Sequence, residues 1–169
     1  MDKQIEQIDL LTREAVKEVF QSMLSMEVSP EAASPLEAAS PLEADPAGQI
    51  IGSVGFIGEA TGIIYLYAGV SFARIITGRL LGISEPEVDT GEMVTDAIGE
   101  LSNMVAGYVK SRLCNGGLPC VLTIPSVVRG QQLSVEGSAQ VMRRVIGFRN
   151  CAHHLLAEVM LKEPAQKEL

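Results

Sequence analysis

Apolar positions along the chain repeat with two different periods. Over about residues 4 to 25, Ile8, Leu11, Ala15, Val19 and Met23 recur at helical spacing on one face, which predicts an amphipathic first helix. The runs "QIIGSVGFIGEA" and "TGIIYLYAGV" follow, rich in β-branched and aromatic residues, with "GEATG" as the turn between two strands. Ser71 is placed to cap a helix "FARIITGRLL" that stops at Gly82. After "ISEPEV", Asp89 with Glu92 three residues on reads as a reciprocal capping pair heading a long helix to about Leu113. "CNGGLP" breaks that helix, and "CVLTIPSVV", "QLSVEGSAQVMRRVIGF" and "CAHHLLAEVML" read as strands. Consecutive strands with short turns predict an α+β fold, an antiparallel sheet of about six strands with three helices packed on it.

One stretch fits neither period. In "SPEAASPLEAASPLEADPAG", residues 29–48, the hexapeptide "EAASPL" occurs twice in tandem and a third copy starts at Glu43. Four prolines in this span exclude a continuous helix or an interior strand. It is expected to be a flexible, solvated insertion in a single domain spanning residues 1–169.

Composition narrows the function classes. With 169 residues and 47% apolar content, the chain can fill one core. A net charge of −8 argues against nucleic acid and anionic membranes as partners. No apolar run approaches the length of a membrane span, and "MDKQIEQIDLL" lacks a secretory h-region, so a cytoplasmic location is expected. Cys114, Cys120 and Cys151 fit neither a zinc knuckle nor a CxxC pair and are expected to be small buried thiols. Adjacent His153 and His154 in a strand would point to opposite faces and could not share a metal.

The long helix carries the candidate chemistry. Projected at 100° per residue, Val94, Ala97, Val105 and Tyr108 lie within about 40° of Leu101 and define a core face. Asp96, Glu100, Asn103 and Gly107 lie within about 60° of one another on the far side, bordered by Gly99. A helix-interior glycine costs roughly 1 kcal/mol against alanine, so a stripe holding two of them implies that something approaches closely. That something could be a partner, a second copy of the chain, or another element of the same protein. Aligning Ala15 with Ala97 places Glu14, Glu18, Gln21 and Ser25 at the positions of Asp96, Glu100, Asn103 and Gly107, and Lys17 at that of Gly99. The chain therefore reads as a decayed duplication of a helix-plus-strands unit, with only the second stripe able to offer a close, bare surface.

Asp96-x3-Glu100-x2-Asn103, with Pro125 twenty-two positions after the asparagine, resembles the signature of the chemotaxis phosphatases of the CheC/CheX/FliY family. The segment "IGEATGIIYLYAGVSFARIITGRLLG" is similar to that family's strand–turn–strand–helix unit. With one intact copy, the chain looks like the CheX branch, whereas CheC and FliY usually keep two. The resemblance covers roughly residues 50 to 160 plus the first helix, and the hexapeptide insertion departs from it.

The resemblance implies hydrolysis of the aspartyl phosphate on a CheY-like response-regulator receiver. It implies Glu100 and Asn103 as catalytic residues, with Glu100 pairing the receiver's active-site lysine. An uncharged amide such as that of Asn103 can hold a water without repelling phosphoryl oxygens. Asp96, Gly99 and Gly107 would contact the partner, although Asp96 could equally cap or orient the stripe. No metal or cofactor of the chain's own is expected, the magnesium ion being carried by the receiver, and a homodimer is implied. The competing reading is a non-catalytic receiver-binding or scaffold module of the same fold. A third reading buries the glycine stripe between two copies.

Overall fold

In the computed structural model, the described residues are 2–31, 44–89 and 91–162. Helix α1 spans Asp2–Leu24 and is followed by strands β1 (Ser29–Glu31), β2 (Gln49–Gly58) and β3 (Gly62–Gly69). Helix α2 (Val70–Leu81), a short 3-10 turn (Glu85–Glu87) and helix α3 (Glu92–Asn115) come next. Strands β4 (Cys120–Leu122), β5 (Ser126–Gly130), β6 (Val141–Asn150) and β7 (His153–Lys162) complete the described chain. The strands form one antiparallel sheet ordered β1-β6-β7-β3-β2-β4, and β5 shares the outer edge of β2 with β4, pairing Gln49–Ser53 where β4 pairs Phe56–Gly58. The α+β architecture is as the pattern predicts, with seven strands where about six were expected. No described helix is long and apolar enough to cross a membrane.

The three helices cover one face of the sheet. Alternation sends Ile50, Val54 and Phe56 of β2, and Ile64, Leu66 and Ala68 of β3, into a core shared with Phe20, Phe72, Ile76, Leu101 and Val105. Within that layer α3 lies directly on β2. A Cβ added to Gly52 would sit 2.0 Å from the Ser102 hydroxyl and 3.1 Å from Ile98 Cγ2, so only glycine permits the helix to come this near. Buried Ser102 satisfies its hydroxyl by donating to the Ile98 carbonyl at 2.7 Å.

Several local expectations shift by a few residues, and each shift has a contact behind it. Helix α2 starts at Val70 instead of being capped by Ser71, because Asp45 caps it from outside: its carboxylate accepts from the Ser71 amide at 2.9 Å and the Ser71 hydroxyl at 3.0 Å. Gly82 ends that helix in the left-handed conformation as expected. The reciprocal capping pair is Ser84 with Glu87 on the 3-10 turn, while Asp89 accepts from the Gly91 amide before α3. "CVLTIPSVV" divides into β4 and β5 around Pro125, which has no amide hydrogen to continue a ladder. Residues 132–140, expected as part of a strand, instead run over the sheet's second face, where Gln49 Oε1 accepts from the Leu133 amide at 2.7 Å.

The two ends of the span 29–48 are tied to the fold. Ser29–Glu31 pairs with β6, and Glu31 is held there by Arg149 at 3.1 Å and His154 at 3.0 Å. At the other end Asp45 is fixed by its capping role, and residues 32–43, most of the tandem repeat, lie outside the described residues. The histidines diverge as expected: His153 stacks on Phe72 with ring centroids 4.8 Å apart, while His154 meets Glu31. The cysteines need correction, since only Cys120 is buried, where desolvation raises its thiol above the ordinary value. Cys151 is exposed because it occupies the β6–β7 turn at φ 51°.

On the sheet's second face, Glu158 is 1% exposed, accepts a 2.5 Å hydrogen bond from the Tyr67 hydroxyl and pairs with Arg143. Burial, followed by the bond to the Glu158 carboxylate, holds the Tyr67 phenol well above its ordinary value near 10.0.

Two predictions follow from these contacts. Gly52→Ala is expected to destabilise the protein by about 1–3 kcal/mol through overpacking against Ser102, read as a lower denaturant midpoint. For Tyr67, a raised native value means that its stabilising contribution is present below pH 10 and is lost as pH rises toward the native value. Denaturation between pH 9 and 11 is expected to show stability falling less steeply in Tyr67→Phe than in the parent.

Candidate functional site

Helix α3 is apolar around most of its circumference because it is wedged between the sheet and α1 and α2. Val94, Ala97, Leu101 and Val105 are buried on the predicted core face, and Ile98, Ser102, Ala106 and Val109 are buried beside them. What remains open is a narrow strip. Asp96 and Glu100 are exposed, and Asn103 and Gly107 are half-buried along the same line. The structure thus brings four of the five predicted site residues onto one accessible ridge. No hydrogen bond or ion pair joins the side chains of Asp96, Glu100 or Asn103 to another described residue. Glu100 and Asn103 are one turn apart, so their carboxylate and amide present one acceptor pair and one donor–acceptor group side by side.

Gly99 is corrected. It is buried, and a Cβ placed on it would meet Val127 Cγ2 at 3.5 Å and Pro125 Cβ at 3.9 Å. The element that approaches it is β5 of the same chain, so it does not offer its surface to a partner. Pro125, expected to shape a strand near the helix, does so: it turns the chain into β5 and lays its ring beside Gly99. Gly107 is different in kind. Among the described residues nothing lies within 4 Å of a Cβ built there, so the described fold supplies no reason for a glycine in mid-helix.

Tyr108 packs against the core on the projected face, but only half-buried at its rim, where the Arg112 guanidinium donates to its hydroxyl at 3.0 Å and lies 5.0 Å from the ring centroid. Its ring borders a groove of about 430 Å³ against α1, lined by Glu14, Lys17, Glu18 and Gln21. Periodicity could place Tyr108 on a face but carries no signal for where α1 stops covering it.

The model of the family described as "Chemotaxis phosphatase CheX" matches residues 50–149, a span that contains Asp96, Glu100, Asn103 and Pro125. This chain belongs to the CheX family. A CheY-P phosphatase CheX of Thermotoga maritima is 28% identical over 91 residues, covering 53% of this chain and 57% of that relative's length. Crystallised CheX from Vibrio vulnificus superposes with a TM-score of 0.75 at 22% identity, over 92% of this chain and 96% of the other. The CheX of a CheX–CheY–BeF3–Mg2+ complex from Borrelia burgdorferi superposes at 0.71 with 20% identity, over 90% and 96%. At these identities the superpositions establish that the α+β fold is the CheX fold.

Both glycines occupy helical backbone that alanine adopts, and neither added methyl meets an atom closer than ordinary contact. Gly99→Ala and Gly107→Ala are each expected to stabilise the isolated protein by up to about 1 kcal/mol, measured by thermal or denaturant unfolding.

Proposed function

We propose that this CheX-family protein hydrolyses the aspartyl phosphate of a CheY-like response-regulator receiver, using the α3 ridge as its active surface. The observation that carries the proposal is Gly107. A mid-helix glycine in open space, in line with Glu100 and Asn103, has its physical rationale in a surface that comes from outside. The Thermotoga relative, called a CheY-P phosphatase, and the Borrelia CheX–CheY complex support this reading of the partner.

The mechanism follows from what an acyl phosphate requires. Its carboxylate leaving group is already good, and phosphoryl transfer runs through a loose, nearly in-line transition state. The remaining task is to hold a water opposite the leaving oxygen, where positioning is worth several kcal/mol. Asn103 accepts a hydrogen bond from that water through its amide oxygen and adds no negative charge near the phosphoryl oxygens. Glu100, one turn earlier, pairs with the receiver's active-site lysine and fixes the register of the two proteins. Asp96 continues the contact toward the start of α3. The magnesium ion belongs to the receiver in this scheme, where it neutralises phosphoryl charge. A cytoplasmic homodimer with no nucleic-acid or membrane partner is part of the same proposal.

The decisive measurement is loss of label from a phosphorylated receiver. Asn103→Ala is expected to return phosphate release to the receiver's intrinsic rate while the unfolding midpoint stays at the parent's. Release as fast as the parent's would defeat the mechanism. If the parent itself binds the receiver yet does not accelerate release, the chain is a docking module. The glycines give an internal control: Gly107→Ala slows dephosphorylation although it stabilises the fold, whereas Gly99→Ala leaves the rate unchanged.

A further inference from the structure

We propose that Cys114 and Cys120 form a reversible oxidation site, closing to a disulfide that ties the last turn of α3 to the edge strand β4 when the protein meets hydrogen peroxide. The inference is independent of the function proposed above. It concerns two residues that the fold brings together and that the proposed reaction does not use.

Spacing alone assigns these cysteines no chemistry, since five residues separate them, which suits neither a zinc knuckle nor a CxxC pair. The fold changes this. Cys114 stands on the last turn of α3 and Cys120 opens β4, and the turn between them is held by its own hydrogen bonds. The Gly117 amide donates to the Cys114 carbonyl at 3.1 Å and the Leu118 amide to the Leu113 carbonyl at 2.9 Å, with Gly117 in left-handed backbone at φ 85°. Beyond the turn, Cys120 is paired with Gly58 of β2, so the backbone is fixed at both cysteines. The Cys114 thiol donates to the Cys120 carbonyl at 3.9 Å and lies within hydrogen-bonding reach of the Cys120 thiol. Neighbouring sulfurs on two fixed stretches of backbone are the arrangement a disulfide requires.

Their surroundings give the two thiols different roles. Cys114 is half-buried and open to a small oxidant, whereas Cys120 is 6% exposed. Burial, then the neighbouring Cys114, hold the Cys120 thiol above its ordinary value, while Lys110 acts in the opposite sense. Cys120 therefore stays protonated until Cys114 has been oxidised beside it. Lys110 stands one turn before Cys114 on the same helix, so a cation is at hand when either thiolate forms. Among the described residues no third His, Cys, Asp or Glu joins the pair, as a metal site would require. Cys151 is out of reach in the β6–β7 turn, because β3 and β2 separate β7 from β4.

The chemistry balances in two steps. The Cys114 thiolate attacks one peroxide oxygen, the S–O bond forms as the O–O bond breaks, and the departing hydroxide takes up a proton as water. Cys120 loses its proton and attacks the Cys114 sulfur, the S–S bond forms as the S–O bond breaks, and a second water leaves. The two sulfurs together give up two electrons, both accepted by the peroxide. A dithiol reductant returns them and reopens the pair.

The test exposes the folded full chain briefly to hydrogen peroxide, then denatures it, alkylates it and weighs it. The alkylatable thiols are expected to fall from three to one, with the chain lighter by two hydrogens and Cys114 linked to Cys120 in the peptide map. Dithiothreitol restores all three. The unfolding midpoint of the oxidised chain is expected to rise by about 5 °C over the reduced one, and Cys114→Ser to show no rise. Lys110→Gln is expected to close severalfold more slowly, with the reduced midpoint unchanged. The inference is overturned if all three thiols survive peroxide that consumes a free-cysteine standard, or if Cys114 reaches the sulfinic acid while Cys120 remains alkylatable. Formation of the bond only after denaturant is added overturns it equally. Closure of Lys110→Gln at the parental rate overturns the part given to the lysine.

Discussion

The seating of α3 on β2 governs everything that follows from this fold. At Gly52 the sheet presents no side chain, and Ser102 and Ile98 descend into the vacancy. That contact fixes the rotation of α3 about its own axis. Once Ser102 points down, Asp96, Glu100, Asn103 and Gly107 have only one direction left, away from the core. A rotation of one residue, about 100°, would bury Glu100 and expose Leu101. Packing energy in the core therefore sets the orientation of a polar strip that contributes nothing to the core itself.

Local periodicity sufficed for the elements whose partners are uniform. The apolar spacing of α1 and α3 and the β-branched runs of β2 and β3 each face one broad layer, so the period alone identifies them. The Glu100/Asn103 stripe was legible for the same reason: it is the complement of a regular apolar face. What escaped depends on residues far apart in the chain. Asp45 caps α2 from 26 positions upstream of Ser71, and no local rule leads from one to the other. Gly99 looks the same as Gly107 in sequence, yet Val127 and Pro125 lie over the first and nothing lies over the second. Glu31 becomes part of a strand because Arg149 and His154 are waiting on β6.

Two sets of carboxylates in the molecule serve opposite ends. Glu158 is enclosed with Tyr67 and Arg143, its oxygens fully engaged by neighbours in the same sheet, and it contributes to cohesion. Among the described residues Glu100 has no such neighbours, and neither do Glu14 and Glu18 on α1. A carboxylate left hydrated at the surface keeps its full capacity for an incoming cation, at little expense to folding.

The clamp on Glu31 and the cap at Asp45 have a bearing on how this gene can change. They are two fixed posts, and the hexapeptide "EAASPL" is strung between them. Lengthening a connection costs little, about 0.6 kcal/mol for each doubling. Replication slippage that adds or removes whole hexapeptides would leave both posts, and hence the sheet and the α2 start, where they are. Lineages carrying this chain can accordingly vary in repeat number at this point while the remainder of the coding sequence stays under unaltered structural constraint.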